Sequence, residues 1–184
     1  MDADTTARLI YLSLILMAVA GSLFSNLRQA PGRTVQQLLQ SQSFSIDEYQ
    51  REYKWQTKQV AELLGDLGNA FLDDHEPSHA REDVANYGHY FLGSIIVSVK
   101  NNHKFVIDGQ QRLTTLTLLL MYLHNLSRAR TDVTPLGELI FSEKYSRRSF
   151  NLDVEERTPC MDALFNEQPY DPTDRPESVR NIAA

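Results

Sequence analysis

Residues 105–113, FVIDGQQRL, decide the fold, because they read as a strand, a glycine turn and the start of a helix. Phe105–Ile107 predicts the second strand of a hairpin. Gly109 allows a tight turn and a close approach of the backbone. The helix begins near Gln110 and continues through Leu113–Leu126, whose strongly apolar composition predicts a central core helix.

The same stretch carries the side chains that are chemically most informative. The first turn of a helix leaves backbone N–H groups without intrahelical partners, and with the helix dipole they form an anion site. Arg112 adds a planar fork suited to phosphate. Asp108 can hold a metal-bound water, orient an attacking water or fix the turn. Gln110 and Gln111 offer amide donors and acceptors. The structural alternative is that Asp108 caps the helix and Arg112 pairs with a surface acid.

Upstream of this stretch lies the strongest strand signal. Tyr90–Val99 is rich in β-branched and aromatic residues and predicts a strand. Lys100–Lys104 reads as the turn that leads into Phe105–Ile107. Because the apolar run is nearly continuous, we expect the hairpin to be covered on at least part of both faces.

Further from the centre, the signals predict shorter elements and one longer helix. We expect a short helix over residues 34–43 with Thr34 as its N-cap, and a strand at Phe44–Ile46. Apolar residues on one face predict a helix over 57–72, whereas the polar residues 73–89 read as a loop. Leu136–Phe141 and Cys160–Phe165 are short helical candidates, and the tail from Pro169 onward reads as a loop. The fold class is therefore α+β.

A second chemically informative segment is Ile46–Trp55, in which three aromatic residues are interleaved with Arg51 and Lys54. Such a mixture suits phosphate contact together with stacking on a base or sugar. The alternative is an amphipathic segment whose Tyr and Trp rings pack on the core.

Taken together, three motifs resemble the N-terminal domain of GmrSD-type, modification-dependent restriction proteins. They are Tyr49-Gln50-Arg51-x-Tyr53-x-Trp55, Tyr90–Ile96 and Val106–Leu116. Residues 108–112, DGQQR, match the family signature without a gap or substitution, and the similarity covers roughly residues 34 to 180. The family itself resembles the ParB and sulfiredoxin fold, which implies a small mixed sheet with packed helices.

This resemblance implies an NTP-binding, NTP-hydrolysing sensor domain of a defence system against modified foreign DNA. It implies GTP or ATP as the nucleotide, with a divalent cation such as magnesium. We assign no residues of the chain as metal ligands. The stretch matching Tyr49–Arg51 is associated in some members with sensing the DNA modification. The catalytic residues that follow from the resemblance are Asp108, Gln110, Gln111 and Arg112. The nucleotide-binding residues are Gly109, Tyr49, Gln50, Arg51, Tyr53 and Trp55.

The chain departs from the family pattern before the Tyr-Gln-Arg motif and after the domain. Asp47 stands where members often have Pro. The loss of Pro loosens the turn, and Asp47 adds an acid. The family commonly continues into a helical region and an HNH-type nuclease domain, so we expect a truncated sensor half that acts on DNA with such a nuclease. Asp73–Pro77 with His79 resembles an HNH start only superficially and reads as a solvated loop.

Ahead of the domain, Leu9–Phe24 is a run of sixteen uncharged residues. Three interpretations remain open: a buried or partner-facing helix, a membrane anchor, and a cleaved export signal. We expect an apolar helix over residues 1–30, a ParB-like nucleotide-binding core over 31–130, and the incomplete start of a helical extension over 131–184. The expected location is the cytoplasm or, with the anchor, the inner membrane.

Composition narrows the function classes further. The net charge is -6, from 18 Lys+Arg and 24 Asp+Glu, which excludes a generally basic nucleic-acid coat. The single cysteine, Cys160, excludes a disulfide framework and a Cys-rich zinc site. No GxxxxGK[ST] motif is present, so a P-loop is unsupported. Two alternatives to the sensor NTPase remain: a non-catalytic nucleotide- or DNA-phosphate-binding module acting with a separate nuclease, and a truncated remnant.

Overall fold

The computed structural model describes residues 32–46, 52–144 and 147–184. In these ranges no helix is both long and apolar enough to cross a membrane. The apolar run Leu9–Phe24 lies outside the described residues. The helices are α1 Val35–Leu39, α2 Thr57–Leu72, α3 Gln110–Ser127, α4 Gly137–Ile140, α5 Thr158–Phe165 and α6 Glu177–Ala183. The strands are β1 Phe44–Ile46, β2 Ile96–Lys100, β3 His103–Asp108, β4 Phe141–Lys144, β5 Arg147–Phe150 and β6 Leu152–Asp153.

Four of the strands form one small mixed sheet in the order β2, β3, β1, β6. The three-residue β1 runs parallel to β3 on one side, with Phe44 opposite Lys104, and parallel to β6 on the other, with Phe44 opposite Leu152. β2 pairs antiparallel with β3. A separate hairpin consists of β4 and β5. Together with the helices, this confirms the expected α+β class with a small mixed sheet.

The strand predicted over Tyr90–Val99 is wrong in its first part, because β2 begins only at Ile96. Gly93 has a φ of 89°, which interrupts an extended backbone ahead of the strand. The turn is tighter than expected: Asn101 and Asn102 have φ values of 49° and 63°, and Lys100 pairs with His103. Positive φ at both central residues is the conformation of a two-residue hairpin.

The hairpin is covered only in part. Val106 of β3 is fully buried, whereas Ile96 and Val99 of the edge strand β2 are 53% and 64% exposed. The apolar run therefore overstated how much of β2 is buried, because an edge strand has a neighbour on one side only.

The helix predictions are confirmed where periodicity was strong. α2 spans the expected residues 57–72 and buries Leu63, Leu67 and Phe71. α3 begins at Gln110 and buries nine side chains, so it is the core helix that its composition indicated. α1 is shorter than expected, but Thr34 caps it: the Gln37 N–H donates to Thr34 Oγ1 at 3.1 Å, and Gln37 Oε1 accepts from the Thr34 N–H. The loop over 73–89 contains a 3₁₀ turn at Arg81–Asn86.

The C-terminal tail is the clearest correction. Residues from Pro169 onward were expected to be a loop, but α6 buries Val179 and Ile182 in a cluster with Tyr53 and Cys160. The last turn of α6 also binds the backbone of the segment that carries Tyr53, because Asn181 Nδ2 donates to the Tyr53 carbonyl oxygen at 2.9 Å. A short polar-looking tail forms a helix here because its two apolar residues fill a place in the core.

Two units make up the described chain. The first comprises the described residues up to Leu38 together with Ala61–Phe91, and in it the Phe71 ring stacks on His75 and meets Tyr87 at a tilt. The second comprises Leu39–Val60 and Leu92–Ala184. It holds both sheets and α3, and it runs through residue 130 without a division.

Candidate functional site

The centre of the candidate site is the turn that joins β3 to α3. Gly109 is the N-cap of α3 with φ 87° and ψ 10°, and its carbonyl accepts the Leu113 N–H at 2.9 Å. A Cβ at this position would lie 3.0 Å from the Ser94 carbonyl oxygen and 2.9 Å from Ile95 Cγ1. Both the left-handed conformation and the close approach therefore require glycine.

Asp108 is the outward-facing member of this turn. Its side chain is 60% exposed, and its Oδ2 lies 3.8 Å from an Arg112 guanidinium nitrogen. No side chain caps α3, so the alternative in which Asp108 is the helix cap is wrong. The carboxylate is thus presented to solvent beside the N-terminus of an 18-residue helix.

Arg112 points to the segment ahead of β2 and holds it through backbone atoms. Its Nη1 donates to the Leu92 carbonyl oxygen at 2.7 Å, and its Nη2 donates to the Ser94 carbonyl oxygen at 3.0 Å. A Cβ on Gly93 would overlap the guanidinium. Two of the five N–H donors of the arginine are therefore committed to this loop.

The two glutamines of the signature also bind the chain's own backbone. Gln110 Nε2 lies 3.2 Å from the carbonyl oxygens of both Val106 and Ile107 at the end of β3. Gln111 Oε1 accepts the backbone N–H groups of Lys54 at 2.8 Å and Trp55 at 3.2 Å.

Gln111 completes this clamp with its amide nitrogen, because Nε2 donates to the Glu52 carbonyl oxygen at 2.7 Å. One side chain therefore fixes both ends of the segment 52–55. The signature brings together two of the other motifs: Gln111 holds 52–55, and Arg112 holds Leu92–Ser94.

The aromatic motif divides between core and surface. Tyr53 is 2% exposed, and its hydroxyl forms a 2.8 Å hydrogen bond with Thr115 Oγ1. Burial is the main reason why the pKa of Tyr53 is raised. Trp55 is half-buried and packs against the same cluster. These two rings therefore follow the alternative interpretation, in which they pack on the core. Tyr49, Gln50 and Arg51 lie outside the described residues.

The charges next to this segment are mixed in sign. Lys54 Nζ lies 2.7 Å from Glu52 Oε2, with both side chains about two-thirds exposed. The hydrogen bond that Lys54 Nζ donates to the Glu52 carboxylate raises the pKa of Lys54. In the part of the chain that the structure describes, no three His, Cys, Asp or Glu side chains are grouped as a metal site.

Three of the five histidines have contacts that a structural role explains. His75 Nδ1 and His79 Nδ1 lie 3.1 and 2.8 Å from the Tyr87 hydroxyl. The loop that resembles an HNH start is thus tied down by a tyrosine. His124 is half-buried and stacks on Phe165 with ring centroids 5.1 Å apart. Burial lowers the pKa of His124, and the charges of Arg128 and Arg148 lower it further.

Sequence reasoning missed the part that Leu92–Ser94 plays at this site. The available signal was a glycine inside an apolar run, because such a glycine marks a close backbone approach rather than a regular strand.

A pocket of about 290 Å³ lies further along α3, lined by Leu118, Tyr122 and Asn125 among others. It begins two helical turns beyond the signature and includes none of the signature residues.

The fold and the site define an α+β domain organised around a strand, glycine turn and helix whose side chains gather two distant segments. A family model described as the GmrSD restriction endonuclease, N-terminal domain, matches residues 35–181. The chain belongs to this family. Comparison with curated proteins and with solved structures gives no match.

Proposed function

We propose that this domain binds and hydrolyses a nucleoside triphosphate as the sensor part of a modification-dependent DNA restriction system. Membership of the GmrSD N-terminal family supports the restriction role. The observation that carries the nucleotide proposal is the turn at Asp108–Gly109, where an exposed carboxylate stands beside the N-terminus of α3. In this proposal the partners are DNA and an HNH-type nuclease. The proposal also assigns the domain a fold of the ParB type.

The phosphates would lie at the first turn of α3. Backbone N–H groups of a first helical turn point outward, and the helix dipole adds a partial positive charge. Gly109 carries no side chain that would cover these groups. Arg112 already donates two N–H groups to the Leu92 and Ser94 carbonyl oxygens, and it retains three further donors. Its role is to fix the loop and to face the phosphates at the same time.

A magnesium ion fits this site only if it arrives with the nucleotide. Mg²⁺ in nucleotide sites is held by one or two carboxylates together with phosphate oxygens and water. Asp108 supplies one such carboxylate, exposed and at the right end of the helix. The ion would neutralise phosphate charge, and Asp108 would hold either this ion or the attacking water.

Tyr49, Gln50 and Arg51 would complete the pocket or contact the DNA. Their backbone continues directly into Glu52, whose carbonyl oxygen Gln111 holds at 2.7 Å. Tyr53 and Trp55 act through packing, since the Tyr53 ring is buried.

The decisive experiment compares phosphate release from GTP and from ATP, with magnesium, by the wild type and Asp108→Asn. The substitution keeps the size of the side chain and removes its charge, and the exposed position makes a folding defect improbable on physical grounds. We expect turnover to fall by about 100-fold, the usual contribution of a positioned acid or base group.

Asp73→Asn is the matched control, because Asp73 is exposed and follows α2 rather than the signature. Turnover by Asp108→Asn that equals turnover by this control would contradict the site assignment. Arg112→Ala is a poorer probe, since it also releases the loop at Leu92–Ser94.

A non-catalytic binding module is the second candidate, and one observation favours it. Backbone atoms of the chain itself are the hydrogen-bond partners of the Gln110, Gln111 and Arg112 side chains. This leaves the Asp108 carboxylate as the signature side chain that is available to a ligand. Such a module would report nucleotide or DNA phosphate to a separate nuclease. Binding of labelled nucleotide without phosphate release, in the presence of magnesium, would select this candidate.

A further inference from the structure

A stacked arginine at the β4–β5 hairpin is the starting point. The Arg148 guanidinium carbon lies 3.4 Å from the centroid of the Phe141 ring and 5.1 Å from that of Phe165. The two rings meet edge to face at 4.7 Å. Two aromatic rings therefore hold the guanidinium in place, which removes much of the side-chain entropy that an exposed arginine normally retains.

The guanidinium N–H groups of this arginine are not used by the protein. Among the described residues, the exposed Arg148 side chain forms no hydrogen bond and no ion pair. Arg130 differs: its Nε donates to Asp132 Oδ1 at 3.0 Å and its Nη2 to Asp132 Oδ2 at 2.5 Å. Arg130 is thus neutralised by a bidentate partner, whereas Arg148 presents a preorganised fork to solvent.

A second cation lies on the same aromatic cluster. The Arg128 guanidinium carbon is 5.2 Å from the Phe165 centroid, and its Nη2 donates to the Phe165 carbonyl oxygen at 2.6 Å. His124 stacks on this same ring. The charges of Arg128 and Arg148 both lower the pKa of His124, after burial, so the local potential is positive. We call Arg128, Arg148 and the rings beneath them the arginine surface.

Two acids border the arginine surface without cancelling it. Glu167 Oε2 lies 3.7 Å from Arg128 Nη1, and the two side chains are 66% and 40% exposed. An exposed pair of this kind is weak. Glu143 lies opposite Arg148 in the hairpin register but forms no ion pair with it. An anion can therefore reach Arg148 directly.

We propose that the arginine surface binds backbone phosphates of DNA. The guanidinium fork matches the geometry of a phosphate group. Stacking of bases is not the expected mode, because Arg148 itself covers the Phe141 ring. The choice of DNA over another polyanion rests on the proposed function, since a restriction sensor must meet DNA. With a net charge of -6 on the chain, the contact is weak and strongly dependent on salt.

Fluorescence anisotropy with a labelled DNA duplex of about 20 base pairs, measured over a series of salt concentrations, tests the proposal. Loss of one phosphate contact lowers the slope of log K against log salt by about 0.9. We expect this reduction for Arg148→Gln. Arg148→Lys should keep the slope, because it keeps the charge, but bind more weakly, because it loses the fork.

Arg130→Gln is the matched control: it removes the same charge from a guanidinium that Asp132 already neutralises. Its isotherm should equal that of the wild type. Thermal melts of all variants verify folding. The proposal is overturned if Arg148→Gln binds like Arg130→Gln, if the wild type binds no duplex at low salt, or if an acidic peptide shows the Arg148 dependence while DNA does not.

The DNA measurement contains no nucleoside triphosphate, so its outcome is independent of hydrolysis. A failure of the arginine surface leaves the Asp108 assay intact. Unchanged turnover in Asp108→Asn, conversely, counts against the nucleotide site and leaves the salt slopes of the Arg148 variants to be judged separately.

Discussion

Gln111→Ala is expected to destabilise the domain more than the half-buried position of this polar side chain suggests. The side chain makes three hydrogen bonds, at 2.8, 3.2 and 2.7 Å, to the backbone of residues 52–55. A net contribution of about 1 kcal/mol per bond gives an upper limit of about 3 kcal/mol. Water can replace the partner at Lys54 and Glu52, which are exposed, but less readily at Trp55. We therefore expect a loss of about 2 kcal/mol.

Urea unfolding measures this loss, and Trp55 supplies the signal. Trp55 is the single tryptophan of the chain and lies in the clamped segment. Gln168→Ala is the control, because Gln168 is exposed and its Nε2 makes one local bond to the Asn166 carbonyl oxygen. The stability of Gln111→Glu should lie between those of Gln111→Ala and Gln168→Ala. Glutamate keeps the oxygen that accepts from Lys54 and Trp55 but loses the nitrogen that donates to the Glu52 carbonyl oxygen.

The reasoning is refuted if Gln111→Ala and Gln168→Ala unfold at the same urea concentration with equal slopes. Such a result would mean that Tyr53 and the C-terminal helix hold the segment without help from the signature. A shift of Trp55 emission in Gln111→Ala at zero urea, with stability unchanged, would also contradict it, because loosening the segment and losing stability are one event here.

Two further predictions use the same unfolding assay. Gly93→Ala should destabilise by more than about 2 kcal/mol, because a φ of 89° disfavours alanine and the new Cβ would displace the Arg112 guanidinium; the control Gly65→Ala, in a helix with open space around it, should be neutral or stabilising. Burial raises the pKa of the Cys160 thiol from 9.0 to about 11. Since the unfolded chain then loses the proton first, the contribution of Cys160 to stability should be constant well below pH 9 and be lost as the pH rises through 9 toward 11, so stability should fall less over this range in Cys160→Ala.

Local signals predicted the elements that depend on local interactions. α2 can be recognised from its length and its apolar periodicity. The β3–α3 unit can be recognised from the length of its helix and from the glycine that caps it. β6 and α6 do not: β6 has two residues, and α6 is stabilised by Val179 and Ile182 meeting Tyr53. Such distant contacts leave no periodic trace in a seven-residue segment.

The sequence singled out the residues of the candidate site but indicated only part of their geometry. The sequence placed Asp108 and Gly109 between a strand and a helix; in the structure Asp108 is the last residue of β3 and Gly109 is the N-cap of α3. It could not show that Arg112 binds the carbonyl oxygens of Leu92 and Ser94, because backbone acceptors are present at every residue and carry no sequence signal. The roles of these residues in catalysis stay predictions.

The bond between Asn181 and the Tyr53 carbonyl joins residues that are 128 positions apart. A ribosome that adds about 10 residues per second needs about 13 s to make the second after the first. The Tyr53 ring lacks its cover for all of that time, and the apolar face of α3 and the thiol of Cys160 lack theirs from the moment they are made. Newly made chains of this domain should therefore depend on chaperones and be sensitive to the rate of translation.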